Sequence, residues 1–238
     1  MNRKIDVPYL GKCKVYLEQD ALKILLKYST NFKQFYDNER GKIKSYFFWA
    51  KCEKLPTGTN AYTVTIFPDR TVVIILPVIP APTDHAFRVA HELAHRVRVS
   101  EGTSFGIGGR DARTAKYADL INSMVEDNKV DSILEKYGFD LETEYGTQLR
   151  VQMPGIRSIT RIDDEMEAKI NYVNIRLRCD LLGKTFEPWS EFEELFRHKF
   201  PHLMDSIDQI YNFVKDNDLR TIEKKQELLR VIGALPKS

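Results

Sequence analysis

The sequence predicts an α+β protein in which a small antiparallel sheet lies between helices. Three observations indicate this class. Apolar residues recur at helical spacing from Asp20 to Tyr36, aromatic and β-branched residues dominate after Gly41, and helical spacing returns after Thr83. The chain has 238 residues, of which 42% are hydrophobic and 29% are charged. A chain of this length can bury one substantial core, or a core with a helical annex.

The first half contains one predicted helix, from Asp20 to Tyr36, and three predicted strands. The stretches KSYFFWAKCEK, AYTVTIF and TVVIILPV are separated by the turn-forming segments LPTGTN and PDR, which predicts an antiparallel meander. Prolines interrupt the third stretch between Ile75 and Pro80. Because proline cannot donate to a strand ladder, we expect this third strand at an edge of the sheet.

A helix is predicted next, with Thr83 or Asp84 as its cap, and it carries the segment HELAH. The glycine-rich segment SEGTSFGIGGR then forms a loop, and the following long helix ends near Gly138. We expect the segment TEYGTQLRVQMPGIRS to be irregular.

The remainder of the chain is predicted to be helical. The helices run from Asp163 to about Leu182, from Ser190 to Lys199, and in two further segments toward Leu235. Ser190 and Glu193 match a capping box. We therefore divide the chain into a core at residues 1–138 and a helical C-terminal region at residues 139–238 that packs on the core.

Composition indicates which cellular compartment and which classes of binding partner to expect. The net charge is only +2, which does not indicate nucleic acid or an anionic membrane, and basic runs lack the aromatic interleaving of a nucleic-acid interface. Cys13, Cys52 and Cys179 show no CxxC spacing, so we expect neither a disulfide framework nor a cysteine zinc site. The longest apolar run is too short for the about 20 residues that span a bilayer. Without a signal-peptide pattern, we expect a cytoplasmic protein of undetermined oligomeric state.

The segment HELAH carries the strongest chemical signal. Residues four apart share one face of a helix, so His91 and His95 can direct two ring nitrogens at one ion. Zinc accepts imidazole nitrogen at about 2.0–2.1 Å and usually takes four ligands. Glu92 points elsewhere around the helix and can instead reach a water held on the metal. We therefore predict Zn²⁺ as cofactor and Glu92 as the catalytic base.

A third ligand is predicted on the next helix, within INSMVEDNKVDSIL. Glu126 shares a face with Asn122 and Asp119 on a helix that is otherwise largely apolar. An unpaired buried carboxylate is costly, and a metal ion is one partner for it. Asp127 is the competing ligand because the two acidic residues are adjacent. The alternative role for this polar stripe is an ion-pair network with Arg88, Arg98 or Lys129.

These residues resemble the gluzincins, zinc metallopeptidases that combine HExxH with a glutamate from a second helix. The resemblance covers roughly residues 15–138, and NSMVED is similar to N-x-x-x-E/D signatures of several bacterial and phage-type metallopeptidase-like domains. It implies a zincin-like fold of helix, small antiparallel sheet, HExxH helix and glutamate helix. It also implies that His91, His95 and Glu126 hold zinc and that Glu92 is the base.

The sequence also departs from relatives within that clan. Thermolysin-like members place a histidine-supporting aspartate four residues after the glutamate, where this chain has Val130, with Asp131 one residue further on. HELAHRVRVSEG lacks the glycine and the third histidine of metzincins. The support of the metal-binding histidines is therefore not predicted by the resemblance.

The implied function is hydrolysis of a peptide or protein substrate, without a membrane partner. An edge strand before the HELAH helix would let an extended peptide add as a further strand. The oxyanion needs a donor besides zinc. Candidate donors are Arg88 and Arg98, and more weakly Tyr117, Tyr145 and His85. Two alternatives are a metal-binding or protein-interaction domain without hydrolysis and a nucleic-acid-associated protein with a vestigial zincin fold.

Overall fold

The computed structural model describes residues 4–7, 10–52, 61–66, 71–77, 82–104, 106–109, 111–182, 187–219 and 221–234. The described residues form helices and one small sheet, which confirms the α+β class at that level. The chain forms two compact units, Met1–Gly102 with Ile133–Phe139, and Thr103–Ser132 with Asp140–Ser238. Within the described ranges, no helix combines the length and apolar character needed to cross a membrane.

The sheet of the first unit has five strands among the described residues. They are β1 (Lys4–Val7), β2 (Gly11–Tyr16), β3 (Phe48–Cys52), β4 (Tyr62–Ile66) and β5 (Thr71–Pro77). Their order is β1-β2-β3-β5-β4. All neighbouring pairs are antiparallel except β3 and β5, which are parallel.

The expected meander and the edge position of its third strand are wrong. β5 lies between β3 and β4, so the edge strands among the described residues are β1 and β4. Pro77 is the last residue of β5, and the preceding residues Val73 to Leu76 are each 0% exposed. A continuous apolar run is typical of a strand buried on both faces. The proline therefore marks the end of the strand and not the edge of the sheet.

The hairpin of β1 and β2 was not predicted from the sequence. Gly11 opens β2 with φ +70°, a left-handed conformation that favours glycine, and it pairs with Val7. Cys13 on β2 and Cys52 on β3 form a disulfide, which corrects the expectation that these cysteines are unpaired. Cys179 is a buried free thiol.

The single helix expected from Asp20 to Tyr36 is two helices, α1 (Glu18–Tyr28) and α2 (Thr30–Glu39). Ser29 lies between them, and its side chain accepts a hydrogen bond from the Phe32 N–H at 3.3 Å. This N-cap satisfies a backbone donor that the new helix leaves without an intrahelical partner. The apolar spacing continued through the break, which is why the pattern alone did not reveal it.

The HELAH helix is present as α3 (Pro82–Ser100), and it packs against α1 and α2. It begins at Pro82, so Thr83 and Asp84 lie inside its first turn and not at the cap. Proline is tolerated there because its missing N–H would have no helical partner.

The glycine-rich loop and the long helix α4 (Ala112–Lys136) are also as predicted. The Asn122 side chain of α4 anchors the loop, because it accepts from the Ile107 N–H at 3.0 Å and donates to the Ile107 carbonyl at 2.8 Å. A Cβ at Gly109 would overlap the backbone nitrogen of Ala115, so glycine is required at this close approach.

Five α-helices complete the described C-terminal part. They are α5 (Leu141–Ser158), α6 (Glu165–Leu181), α7 (Glu187–Lys199), α8 (Met204–Asp216) and α9 (Ile222–Val231). The segment expected to be irregular is helix α5, which Asp140 caps by accepting from the Thr143 N–H. Ser190 lies inside α7, so the expected capping box does not start that helix.

Candidate metal centre

His91 and His95 lie one turn apart on α3 and bring their rings together. Their Nε2 atoms are 3.1 Å apart. The ring centroids are 4.7 Å apart, and the ring planes cross at 79°. His91 is buried and His95 is half-buried. The spacing in HELAH therefore brings two imidazole nitrogens to one point, as the sequence predicted.

This pair of nitrogens fits a zinc ion. Two nitrogens held at about 2.0–2.1 Å in tetrahedral geometry lie about 3.3–3.4 Å apart. The separation of 3.1 Å is close to that value, and it also suits a hydrogen bond between one protonated and one unprotonated ring nitrogen. The pair can therefore hold either a proton or a metal ion, and imidazole is a preferred zinc ligand.

The ring of Phe87 lies next to His91, and the ring of Phe139, in the same unit, lies next to Phe87. Phe87, one turn earlier on α3, has its ring centroid 5.9 Å from that of His91 and 6.1 Å from that of Phe139. The Arg88 guanidinium lies 5.3 Å from the Phe87 centroid. An apolar shell of this kind restricts ring orientation and solvent access at a metal ligand.

Glu92 is held by the edge strand. The Thr63 hydroxyl of β4 donates a hydrogen bond to Oε2 of Glu92, which is half-buried. A carboxylate accepts several hydrogen bonds, so this contact orients Glu92 and still permits a second donor. Sequence reasoning missed Thr63, because the neighbour of a strand residue depends on tertiary packing.

Arg96 is a further neighbour of Glu92, one turn later on α3. Burial lowers the pKa of Arg96, and the charge of Glu92 acts in the opposite direction. Its Nε is buried without a hydrogen-bond partner among the described residues. The spacing of four in the sequence was the available signal for this pair, but the oxyanion candidates did not include Arg96.

Asp127 on α4 is buried and bound by two donors from the second unit. Arg178 of α6 donates from Nη2 to Oδ2 of Asp127 at 2.6 Å, and the Ser123 hydroxyl donates to the same oxygen at 3.1 Å. Charge-assisted bonds of this kind fix a carboxylate more firmly than neutral ones. The position of Asp127 is therefore determined by α6 as well as by its own helix.

Arg178 also forms an ion pair with Asp131, one turn further along α4. Its Nε lies 3.3 Å from Oδ2 of Asp131, which is fully buried. Burial lowers the pKa of Arg178, but Tyr145 and the two aspartates outweigh this effect, so the pKa stands above its ordinary value. Asp131, the residue displaced by one from the gluzincin pattern, is thus a partner of Arg178.

Glu126 faces a different cation. Its Oε1 lies 3.8 Å from Nζ of Lys225 on α9, and that lysine is 0% exposed. Lys225 also donates to Oδ1 of Asn122 at 3.4 Å. The polar stripe of Asn122 and Glu126 therefore has a buried lysine as partner, and this lysine was not among the cations considered from the sequence.

One group suited to a metal ion occurs among the residues the structure describes. It consists of His91, His95 and Asp127, whose ligand atoms all lie within 4.8 Å of one another. Two nitrogens and one carboxylate oxygen are a common donor set at catalytic zinc sites. Glu126, the third ligand implied by the gluzincin resemblance, is not a member of this group.

Two of the oxyanion candidates have structural partners. The Tyr117 hydroxyl donates to Oδ1 of Asp164 at 3.1 Å, and Asp164 caps α6. Tyr145 is buried, and the Arg178 guanidinium lies 5.0 Å from its ring centroid. Both tyrosines therefore stabilise contacts with α6.

Comparison with protein-family models, with curated proteins and with solved structures found no match to this chain.

Proposed function

We propose that the chain is a zinc-dependent peptidase with Glu92 as its general base. The 3.1 Å separation between Nε2 of His91 and Nε2 of His95, beside a Glu92 carboxylate bound by Thr63, carries this proposal. A purely structural zinc site has no need of a base and usually has four protein ligands. The arrangement of two histidines with an adjacent oriented carboxylate is the one that zinc metallopeptidases with an HExxH motif use.

His91, His95 and Asp127 would hold the zinc ion. Asp127 is favoured over Glu126 because its carboxylate belongs to the group of ligand atoms within 4.8 Å, whereas Glu126 faces Lys225. Ser123 and Arg178 both bind Oδ2 of Asp127. Carboxylates that ligate metals are themselves usually hydrogen-bonded, so this pair of donors suits a metal ligand.

The reaction would combine a Lewis acid with proton transfer by Glu92. Zinc, when bound, polarises a carbonyl group and lowers the pKa of water to about 7. Glu92 accepts a proton from the attacking water and delivers it to the leaving amine. Thr63 acts as a positioning residue, because its hydrogen bond fixes the orientation of the Glu92 carboxylate.

An extended peptide is the substrate that this unit suits best. β4 is an edge strand, and its residue Thr63 contacts Glu92. The free edge of a sheet presents backbone N–H and C=O groups that pair with another chain. A peptide added to β4 would run beside the base, which is consistent with hydrolysis of unfolded segments.

The test compares wild type with Glu92→Gln in zinc content, melting temperature and hydrolysis of a denatured protein mixture. Glutamine keeps the shape of the side chain but cannot relay a proton, so turnover should fall by roughly 10²–10⁴. Zinc content and melting temperature should stay at wild-type values. Glu101→Gln, an exposed change just after α3, is the matched control and should retain full turnover.

Wild-type turnover in Glu92→Gln would contradict the proposed mechanism. A wild-type chain that binds one zinc but hydrolyses no peptide would instead support the second candidate, a metal-binding or interaction domain. In that case Glu92→Gln should leave partner binding unchanged.

A further inference from the structure

A second feature of the first unit is a row of lysines across its sheet. The strand register places Lys4 opposite Lys14, and Lys14 opposite Lys51, on β1, β2 and β3. Opposed residues project to the same face, so three ammonium groups follow one another across the sheet. Lys12 and Asp6 are opposed on the same face, two residues away. Like charges on opposed residues are unfavourable, which a bound anion would relieve.

Tyr16 connects the lysine row to a neighbouring cavity. The Nζ atoms of Lys14 and Lys51 each lie 5.1 Å from the Tyr16 ring centroid. The cavity has a volume of about 1020 Å³. Its lining includes Lys14, Tyr16, Lys44, Tyr46, Phe48 and Trp49. This volume is at the upper end of the range for ligand sites, which is about 300–1,000 Å³.

Aromatic rings form both the floor and the rim of this cavity. Trp49 is 2% exposed, whereas Tyr46 is 78% exposed and stacks edge-on against Phe48 with centroids 5.0 Å apart. Leu17, another lining residue, is 72% exposed. Large exposed rings beside lysines are the features with which proteins bind single strands, because bases stack on the rings and ammonium groups contact phosphates.

The acidic groups at the cavity offset only part of its positive charge. Glu18 is already paired with Arg40, at 2.6 Å between Oε1 and Nε. Asp20 attracts Lys51 electrostatically. Lys4, Lys14 and Lys44 are exposed and Lys51 is half-buried, so positive groups lie next to exposed rings.

We propose that this lysine–aromatic surface, made of Lys4, Lys14, Lys51, Tyr16 and Tyr46, binds single-stranded nucleic acid. Phosphates lie along the lysine row and bases stack on the rings. The surface shares no residue with the proposed peptidase site. The sequence led to the opposite expectation because these residues come from three separate segments, and strand pairing brings them together.

The test measures binding of the full chain to a labelled single-stranded 20-mer by fluorescence anisotropy at several salt concentrations. Lys4→Gln/Lys14→Gln should lower the magnitude of the slope of log K against log salt by about 1.4, since each phosphate contact contributes about 0.7. Tyr46→Ala should weaken binding about ten-fold with the slope unchanged, because it removes a stacking ring. All three residues are exposed, so folding should be retained in both variants.

Lys23→Gln/Lys33→Gln removes two charges from exposed positions on α1 and α2 and serves as the matched control, with affinity expected within two-fold of wild type. Inorganic polyphosphate and poly-glutamate are the competitors. Lack of oligonucleotide binding would overturn the proposal. Equal loss in the control variant would overturn it too, because a general charge effect would explain the binding. Poly-glutamate competing as well as the oligonucleotide, with no effect of Tyr46→Ala, would reassign the surface to acidic peptides.

Discussion

Helices α3 and α4 supply the groups of the proposed metal centre, and they differ in how those groups are held. On α3, two imidazole nitrogens one turn apart face each other at 3.1 Å, with an apolar ring behind them. On α4, two adjacent carboxylates are paired with cations from other helices, Asp127 with the largely buried Arg178 and Glu126 with the fully buried Lys225. The histidine pair is therefore specified by local spacing, whereas the choice of carboxylate is specified by tertiary partners.

This difference follows from the free-energy cost of burying a charged side chain. A neutral imidazole can be buried without a counter-ion, but an ionised carboxylate requires a paired charge or a metal. Adjacent residues on a helix point about 100° apart, so Glu126 and Asp127 are directed toward different partners. Which of them faces the histidines cannot be derived from helical spacing alone.

The largest effect is expected from removing the cation that pairs with two carboxylates of α4. Arg178→Met should lower the free energy of unfolding by about 3–5 kcal/mol, because the buried Asp127 and Asp131 would lose the largely buried cation that they share. Urea denaturation measures this change. Arg176→Met on the same helix is the control, since its pair with Asp208 is more exposed and should be worth at most about 1 kcal/mol. Equal losses in both variants would show that the buried network has no special role.

A smaller effect, on turnover, is expected from a change at the residue that contacts Glu92 of α3. Thr63→Val removes the hydroxyl that orients Glu92 and keeps a similar shape. A hydrogen bond to a charged group is worth about 1.5–3 kcal/mol, so turnover should fall about 10–100-fold while zinc affinity stays unchanged. Peptide hydrolysis and zinc titration on the same preparation separate the two effects. A loss of zinc affinity without loss of turnover would contradict the positioning role of Thr63.

The sequence predicted the elements with strong periodicity and missed those set by pairing. Helices α3 and α4 and the glycine-rich loop were predicted because their local signals agree. The central position of β5 was missed, because Pro77 suggested an edge and only tertiary pairing shows that the ladder ends there. Helix α5 was missed although Leu141, Tyr145 and Leu149 recur at a spacing of four and are buried.

For the candidate site too, the sequence predicted the residues of the local motif but not their neighbours in the fold. His91, His95 and Glu92 follow from a five-residue motif on one helix. The contacts of Thr63 with Glu92 and of Lys225 with Glu126 join residues 29 and 99 positions apart in the chain, and no local pattern encodes such contacts. The neighbours that orient the motif therefore had to come from the structure.

The most direct test of the proposed centre is the zinc affinity of Asp127→Asn against that of Glu126→Gln, measured by competition with a chelator. Each change keeps the shape of the side chain and removes one charge. Circular dichroism confirms that both variants are folded. Asp127→Asn should weaken zinc binding by more than about 100-fold, beyond the 10–100-fold typical of residues that only support a ligand. Glu126→Gln should change zinc affinity by less than about three-fold. A severe loss in Glu126→Gln with near wild-type affinity in Asp127→Asn would contradict the assignment of Asp127 and restore Glu126 as the third ligand.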